Sequence, residues 1–177
     1  MNSCLVFWNP PDFDWVKLNV DGSRNPESGC ISAGGVARNH LKQCLVGFAL
    51  NKGSGSVLEA ETWGLLGGLK LVWKAGFRKV VIESDSQSAV ALINNDSSMN
   101  YPIFNIIQDC KFLLRSNWSC KVMHVYRESN KVASSLANLD HSLDLGTTIF
   151  EDPPLKIIGC LEHDFKGAIS TRLVTSF

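Results

Sequence analysis

The pattern of apolar and polar residues predicts three short strands near the beginning of the chain. Residues 17–20 alternate between polar and apolar side chains, and two apolar runs follow at residues 31–38 and 44–50. The segment 39–43 between these two runs has the length of a hairpin connection. Because sequential strands with short connections pair side by side, we predict an antiparallel meander.

After residue 56 the period changes and predicts alternating helices and strands. Apolar residues recur at spacings of three and four over residues 57–75, which indicates a helix. Three glycines inside it each cost about 1 kcal/mol relative to alanine, but glycine on a helix face also permits close packing on a sheet. Further helices are predicted at 87–94, 103–115 and 130–139, and further strands at 79–83 and 120–126. The order β-β-β-α-β-α-α-β-α predicts an α/β fold with a mixed sheet covered by helices.

Interruptions of this pattern divide the chain into three segments. Residues 1–14 are interpreted as an N-terminal tail, since Asn9-Pro10-Pro11 breaks regular structure. Residues 15–140 form the predicted domain. Residues 141–177 contain Pro153-Pro154 and little periodicity, and are interpreted as a C-terminal extension without assigned structure.

Composition limits the class of protein. The chain has 177 residues, 45% of them hydrophobic, which suffices for one domain with a sizeable core. Its 17 basic and 17 acidic residues balance, which argues against tight charge-driven binding of nucleic acid but leaves a metal-bridged contact open. With no secretory segment and no apolar run long enough to span a membrane, we expect a soluble intracellular protein, with nucleus or cytoplasm left open. We also expect a monomer.

Three carboxylates occupy unusual positions in the pattern. Asp21 and Asp85 directly follow predicted strands, and Glu61 falls on the apolar face of the predicted helix. An unpaired carboxylate on a buried face costs several kcal/mol, and a metal ion is one possible partner. If the two strands are neighbours, both aspartates emerge at one sheet edge, where α/β sheets bind ligands. Hard oxygen ligands suit Mg²⁺ or Mn²⁺, and a pair of such ions can drive phosphodiester cleavage.

The pattern also allows an ordinary structural role for each acid. Asp21 before a glycine is typical of a turn, and Asp85 between two serines is typical of a helix N-cap. Glu61 could pair with a Lys or Arg at the helix boundary. Periodicity therefore leaves the metal site and these roles open.

Five short segments in one order connect the chain to a known family. They are residues 18–23 (LNVDGS), 34–39 (GGVARN), 60–63 (AETW), 81–86 (VIESDS) and 124–130 (HVYRESN). Together they resemble the plant reverse-transcriptase-like ribonuclease H domain, which is related to the non-LTR retroelement ribonuclease H, over roughly residues 15–140. The resemblance implies a ribonuclease H fold, a five-stranded mixed sheet with three antiparallel strands first, flanked by helices.

The resemblance also implies an activity and a site. The family cleaves the RNA strand of an RNA–DNA hybrid endonucleolytically, with four acids that bind two Mg²⁺ ions. Asp21, Glu61 and Asp85 match the first three acids. The implied partner is an RNA–DNA hybrid or another nucleic acid, recognised by groove shape and 2′-hydroxyl contacts.

The chain departs from the family pattern at two places. Ser134 stands where the fourth aspartate belongs, and a neutral hydroxyl is a poor ligand for Mg²⁺, so a second ion should bind more weakly. The loop 127–129 lacks the histidine of bacterial-type members, and His124 is predicted to lie in a strand with a structural role. Glu128 is a candidate replacement for the missing acid.

Candidate substrate contacts lie beside these acids. Gly22, Ser23 and Arg24 follow Asp21, where the family's hybrid contacts begin. Asn130 could touch a phosphate or cap the last helix, and capping is the favoured interpretation. Three functions remain open: an active metal-dependent ribonuclease H, a catalytically weakened module that binds nucleic acid or protein, and a nuclease acting on DNA.

Overall fold

Strands and helices follow one another in the order that the sequence predicted for residues 15–140. A computed structural model describes residues 2–95, 102–139 and 144–174. The elements are β1 (Asn2–Val6), β2 (Val16–Arg24), β3 (Cys30–Arg38), β4 (Cys44–Ser54), α1 (Val57–Lys74), β5 (Lys79–Ser84), α2 (Gln87–Asn94), α3 (Ile103–Leu114), β6 (Ser119–His124), α4 (Lys131–Ala137), β7 (Gly146–Phe150), α5 (Ile158–Phe165) and β8 (Ser170–Val174). Short 3-10 turns occur at Arg127–Ser129 and Leu155–Ile157. No helix among these described residues is long and apolar enough to cross a membrane.

The main sheet is mixed and has the strand order β6-β5-β2-β3-β4-β7. The β2-β3-β4 meander is antiparallel, whereas β5 runs parallel to both β2 and β6. The predicted α/β fold with a five-stranded core is thereby confirmed. β7, from the C-terminal segment, adds a sixth strand antiparallel to β4. The sequence did not predict it because four of its five residues are exposed, so it carries no apolar alternation.

Both terminal segments contain regular structure that the sequence analysis did not predict. β1 pairs with β8 in a separate two-stranded antiparallel sheet, from Asn2↔Val174 to Val6↔Ser170. Trp8, which follows β1, is only 3% exposed. The interpretation of residues 1–14 as a tail overlooked this pairing, because the partner strand lies at the other end of the chain. The placement of domain boundaries at residues 15 and 140 stays a prediction, and residues 140–143 lie outside the described part.

The glycines of α1 allow this helix to lie directly against the sheet. A Cβ at Gly68 would approach Leu18 Cδ2 to 2.6 Å, and one at Gly67 would approach Phe48 Cε2 to 2.9 Å. Larger residues would push the helix away from β2 and β4. The helical propensity lost at these glycines is therefore offset by close packing.

A buried ion pair connects the sheet to the C-terminal segment. Arg38 on β3 is 1% exposed, and its Nη1 lies 2.7 Å from Asp164 Oδ2 on α5. The guanidinium stacks on the Trp8 ring at 3.7 Å, and Nη2 donates to Asn19 Oδ1 at 3.1 Å. Burial lowers the pKa of Arg38, which Asp164 counteracts. Residues from both terminal segments, Trp8 and Asp164, thus contact the same buried guanidinium of the sheet.

Removal of the Asp164 carboxylate should strongly destabilise the fold. Asp164→Ala leaves the Arg38 charge buried without its partner, so we expect a loss of about 3–5 kcal/mol in the free energy of unfolding. The double variant Arg38→Met/Asp164→Leu should lose less than Asp164→Ala alone, because no unpaired charge remains. Urea unfolding of the three proteins measures both quantities. A loss below about 1 kcal/mol in Asp164→Ala would contradict the importance of the pair.

Candidate metal centre

Asp21 and Asp85 meet at one edge of the sheet because their strands are parallel neighbours. The last paired position of β2 and β5 is Val20↔Ser84, and the two aspartates are the next residue on each chain segment. The condition that the sequence analysis set for a shared site is therefore fulfilled. The prediction that Asp21 ends its strand is wrong, since β2 continues to Arg24 in pairing with β3.

Glu61 reaches the same edge from α1 because Gly22 lets the helix approach the strand. A Cβ at Gly22 would lie 2.3 Å from the carbonyl carbon of Ala60 and 2.4 Å from the amide nitrogen of Glu61. The Gly22 amide donates to Asp21 Oδ1 at 2.9 Å and to Glu61 Oε2 at 3.0 Å. Glycine at this position therefore permits the contact and orients two of the three carboxylates.

The three acids form a compact acidic centre. One carboxylate oxygen from each of Asp21, Glu61 and Asp85 lies within 4.8 Å of the other two. Asp21 is only 7% exposed, and so is the side chain of Asp85. Clustered carboxylate oxygens are the ligand set that Mg²⁺ and Mn²⁺ prefer, so the residues present fit a hard divalent cation.

The protonation of these acids reflects burial and mutual repulsion. Burial, followed by the charge of Asp85, raises the pKa of Asp21 to about 7. Burial, followed by the charges of Asp21 and Asp85, raises the pKa of Glu61 to about 9. Without a cation, simultaneous ionisation of Asp21 and Glu61 is therefore unfavourable at neutral pH. A bound cation would favour the ionised form.

The structure does not place the three acids in the ordinary roles considered above. Ser86, rather than Asp85, is the N-cap of α2, and its hydroxyl accepts a hydrogen bond from the Ala89 amide at 3.3 Å. Asp21 lies inside a strand instead of a turn. Glu61 accepts from the Gly22 amide rather than from a basic side chain. The geometry therefore favours a common role for the acids.

Asn130 supports the acidic centre from inside the protein. Its side chain is 1% exposed, and Nδ2 donates to Asp85 Oδ1 at 3.3 Å and to the Val20 carbonyl at 2.9 Å. Asn130 stands at the N-cap position of α4, as the favoured interpretation expected, but its side chain makes no cap hydrogen bond. The predicted substrate contact of Asn130 remains untested, and the burial indicates that it orients Asp85.

Asn19 connects this support to the terminal segments, and the sequence analysis missed it. Asn19 is fully buried, and Nδ2 donates to Asn130 Oδ1 at 3.2 Å and to Glu83 Oε2 at 2.9 Å. Its Oδ1 accepts from Trp8 Nε1 at 2.9 Å and from Arg38. All the hydrogen-bonding groups of the amide are thus used. The only signal in the sequence was a polar residue between two apolar residues of a strand.

Position 134 faces the acidic centre from α4. The Ser134 hydroxyl is close enough to the Asp21 carboxyl to lower the pKa of Asp21. Serine adds no charge there, so the cluster has three carboxylates where the family resemblance implies four. Glu128, the candidate replacement, is instead paired with Arg172, whose Nη1 lies 3.0 Å from Glu128 Oε2.

The remaining predicted contacts lie further along β2. Ser23 Oγ donates to Asn138 Oδ1 at 2.6 Å, and Arg24 Nε donates to the Gly55 carbonyl at 2.9 Å. Their roles in substrate binding remain predictions. Arg127, which the sequence analysis did not propose for the site, places Nε 3.4 Å from Asp85 Oδ2, with its side chain 84% exposed.

The raised pKa values predict a stability that falls with pH when no divalent cation is bound. Folded Asp21 and Glu61 keep protons up to about pH 7 and about pH 9, whereas their ordinary pKa values are 3.8 and 4.5. Between the ordinary and the raised pKa of each residue, the folded state binds more protons than the unfolded chain. The free energy of unfolding therefore decreases as pH rises through this range. Melting temperatures in EDTA should therefore fall from pH 5.5 to pH 8.5, and Mg²⁺ should raise them most at pH 8.5.

Glu61→Gln is the control for this pH dependence, because it removes the carboxyl with the larger shift. We expect a smaller decrease with pH in EDTA and a weaker response to Mg²⁺. An unchanged pH dependence in Glu61→Gln would contradict the assignment of the effect to the acidic centre.

Known proteins resemble this chain in sequence and in structure. A family model described as reverse transcriptase-like matches residues 19–140. A protein of Arabidopsis thaliana, named as a candidate ribonuclease H protein, is 35% identical over 170 residues. This similarity covers 96% of the chain but 27% of the relative, so the chain spans about a quarter of that protein's length.

Solved ribonuclease H structures share the fold. The RNase H1 of Halobacterium salinarum NRC-1 superposes with a TM-score of 0.65 at 22% identity, over 70% of this chain and 95% of that one. The N-terminal RNase H domain of a Mycobacterium tuberculosis protein gives 0.64 at 23% identity, over 70% and 91%. At these identities the likeness concerns the fold alone. With the family model covering most of the chain, the protein belongs to the reverse transcriptase-like family and has a ribonuclease H-like fold.

Proposed function

We propose that this chain is a divalent-metal-dependent ribonuclease that cleaves the RNA strand of an RNA–DNA hybrid endonucleolytically. The observation that carries the proposal is the acidic centre of Asp21, Glu61 and Asp85, with carboxylate oxygens within 4.8 Å at the edge of a ribonuclease H-like sheet. The name of the Arabidopsis relative supports it. So does the structural likeness to LC11-RNase H1, solved in complex with an RNA/DNA hybrid, with a TM-score of 0.63 at 18% identity.

In this proposal the three carboxylates hold Mg²⁺ or Mn²⁺. When bound, the cation supplies positive charge that activates a water and stabilises the leaving oxygen. The water oxygen would bond to phosphorus as the bond to the 3′-oxygen breaks. The water would lose a proton to solvent and the 3′-oxygen would take one up, which would leave 5′-phosphate and 3′-hydroxyl ends. Gly22 orients Asp21 and Glu61 through its amide, and Asn130 orients Asp85.

The substrate contacts extend the proposal along β2. Gly22, Ser23 and Arg24 continue the strand beyond Asp21, and we assign them to contacts with the hybrid. We assign Asn130 to positioning rather than to phosphate binding, because it is 1% exposed. Residues 15–140 would form the catalytic domain, which acts as a monomer, with Trp8 and α5 packed against it.

A second function is favoured by one observation, the serine at position 134. With three acids instead of four, the chain could be a catalytically weakened module that binds nucleic acid without cutting it. Its balanced charge, 17 basic and 17 acidic residues, agrees with a modest affinity. Measuring both binding and hydrolysis of the RNA–DNA hybrid distinguishes the two functions.

The proposed activity predicts cleavage that depends on the acidic centre. The protein should cut the RNA strand of a labelled hybrid in Mg²⁺ or Mn²⁺, and Asp21→Asn should slow cleavage by roughly 100-fold or more, because it removes a charged ligand. Denaturing gels resolve the products, and circular dichroism checks that the variant is folded. Cleavage that survives Asp21→Asn would exclude the site, and equal cutting of duplex DNA would favour a DNA nuclease.

Restoration of a fourth acid should strengthen the activity. Ser134→Asp places a carboxylate beside Asp21, so we expect roughly tenfold faster cleavage at limiting Mg²⁺, through tighter binding of a second ion. Ser135→Asp is the matched control, since it adds the same charge about 100° further around α4. Titration of the cleavage rate with Mg²⁺ separates the variants. If Ser134→Asp is no faster than Ser135→Asp, the missing acid does not limit catalysis.

A further inference from the structure

A cleft of about 710 Å³ opens beside the acidic centre, between α4 and the C-terminal segment. Three basic residues line it: Arg127 before α4, Lys131 at the start of α4, and Lys156 in the turn that precedes α5. We call these three residues and the space between them the basic cleft. Ser134 and Asn138 form part of its wall.

The basic cleft carries an excess of positive charge in a chain that is neutral overall. Of the residues that line it, only Glu128 is acidic, and Arg172 pairs with that carboxylate at 3.0 Å. Lys131 Nζ contacts the neutral hydroxyl of Ser170 at 3.3 Å, which leaves its charge uncompensated by that contact. The Arg127 side chain is 84% exposed, and Lys156 is exposed as well. These cations are accessible to an anionic ligand.

The basic cleft is continuous with the acidic centre. Ser134 lines the cleft and is close enough to Asp21 to lower the pKa of that carboxyl. Arg127 also lines the cleft, and its Nε lies 3.4 Å from Asp85 Oδ2. A polyanionic chain bound in the cleft would therefore extend to the three carboxylates. The ligand that matches both features is a nucleic-acid strand with one phosphodiester at the metal centre and neighbouring phosphates at the basic side chains.

We propose that the basic cleft binds backbone phosphates of the nucleic-acid strand next to the bond that is cleaved. The inference rests on the proposed function and deepens it, since it names a binding surface for the substrate. Lys156 lies outside residues 19–140, the part matched by the family model. The C-terminal segment therefore contributes a substrate contact of its own.

Hybrid binding by Lys156→Gln tests the proposal. A fluorescent RNA–DNA hybrid is titrated with the full chain in EDTA, so that no cleavage occurs, at several salt concentrations. Each lost phosphate contact lowers the slope of log affinity against log salt by about 0.9. We expect Lys156→Gln to weaken binding roughly threefold to tenfold and to reduce the slope by about one contact, and Lys131→Gln/Lys156→Gln to do so further. Lys166→Gln is the matched control, because it removes an exposed lysine just after α5 that does not line the cleft.

The outcomes separate this proposal from the proposed function. Weaker hybrid binding in Lys156→Gln but not in Lys166→Gln supports the basic cleft, even if the protein never cuts the hybrid. Equal binding and equal salt slopes in the two variants overturn it, even if the hybrid is cut through Asp21. Binding of an acidic peptide such as polyglutamate in preference to the hybrid also overturns it, because the cleft would then serve a protein partner.

Discussion

Repulsion among three clustered carboxylates is the constraint around which this structure is organised. Asp21, Glu61 and Asp85 bring oxygens within 4.8 Å of one another at a largely buried sheet edge, where burial and mutual charge raise the pKa of Asp21 and Glu61. Such a cluster is unfavourable unless protons or a cation compensate it. The fold nevertheless holds it together through the parallel register of β2 and β5 and through the close approach of α1 at Gly22.

The support for this cluster extends far from the acids. Asn130 links Asp85 to Asn19 through hydrogen bonds. Trp8 and Arg38 both donate to the side-chain oxygen of Asn19. Arg38 continues the connection to Asp164 in the C-terminal segment. Each buried polar group therefore relies on partners from several elements, and loss of one leaves others unpaired. Segments outside the family-matched residues take part in this network, and the Arabidopsis similarity covers 96% of the chain.

The residue at position 134 is the reason why the shared fold does not by itself establish the activity. The ribonuclease H-like fold is shared with solved enzymes at 18–23% identity, but a fold does not fix an activity. Ser134 stands on α4 where the family resemblance implies a fourth acid, and it is close enough to Asp21 to lower the pKa of that carboxyl. The proposed hydrolysis would therefore rely on three carboxylates, with Arg127 and the basic cleft close by.

The sequence by itself predicted the order of the elements in residues 15–140 and the three acids that the structure brings together. It also showed a serine at position 134, where the family resemblance implies a fourth acid. These features are encoded locally: hydrophobic periodicity defines each helix and strand, and short motifs place each acid at an element end or on a helix face. The role of the glycines of α1 could also be inferred from the sequence, because a helix can approach a sheet closely where its residues lack a Cβ. For Asp21, Glu61 and Asp85, periodicity left several roles open, and the family motifs pointed to a common one.

Only the tertiary structure decided how distant segments pair. β1 and β8 lie at opposite ends of the chain, and β7 joins β4 as an exposed edge strand. Neither pairing can be predicted from a local sequence pattern. Asn19 and Asn130 resemble ordinary polar residues in the sequence, and their burial and partners follow from the packing of four or more elements. Periodicity records which face of an element is buried, whereas hydrogen bonds and ion pairs between remote residues depend on the assembled geometry.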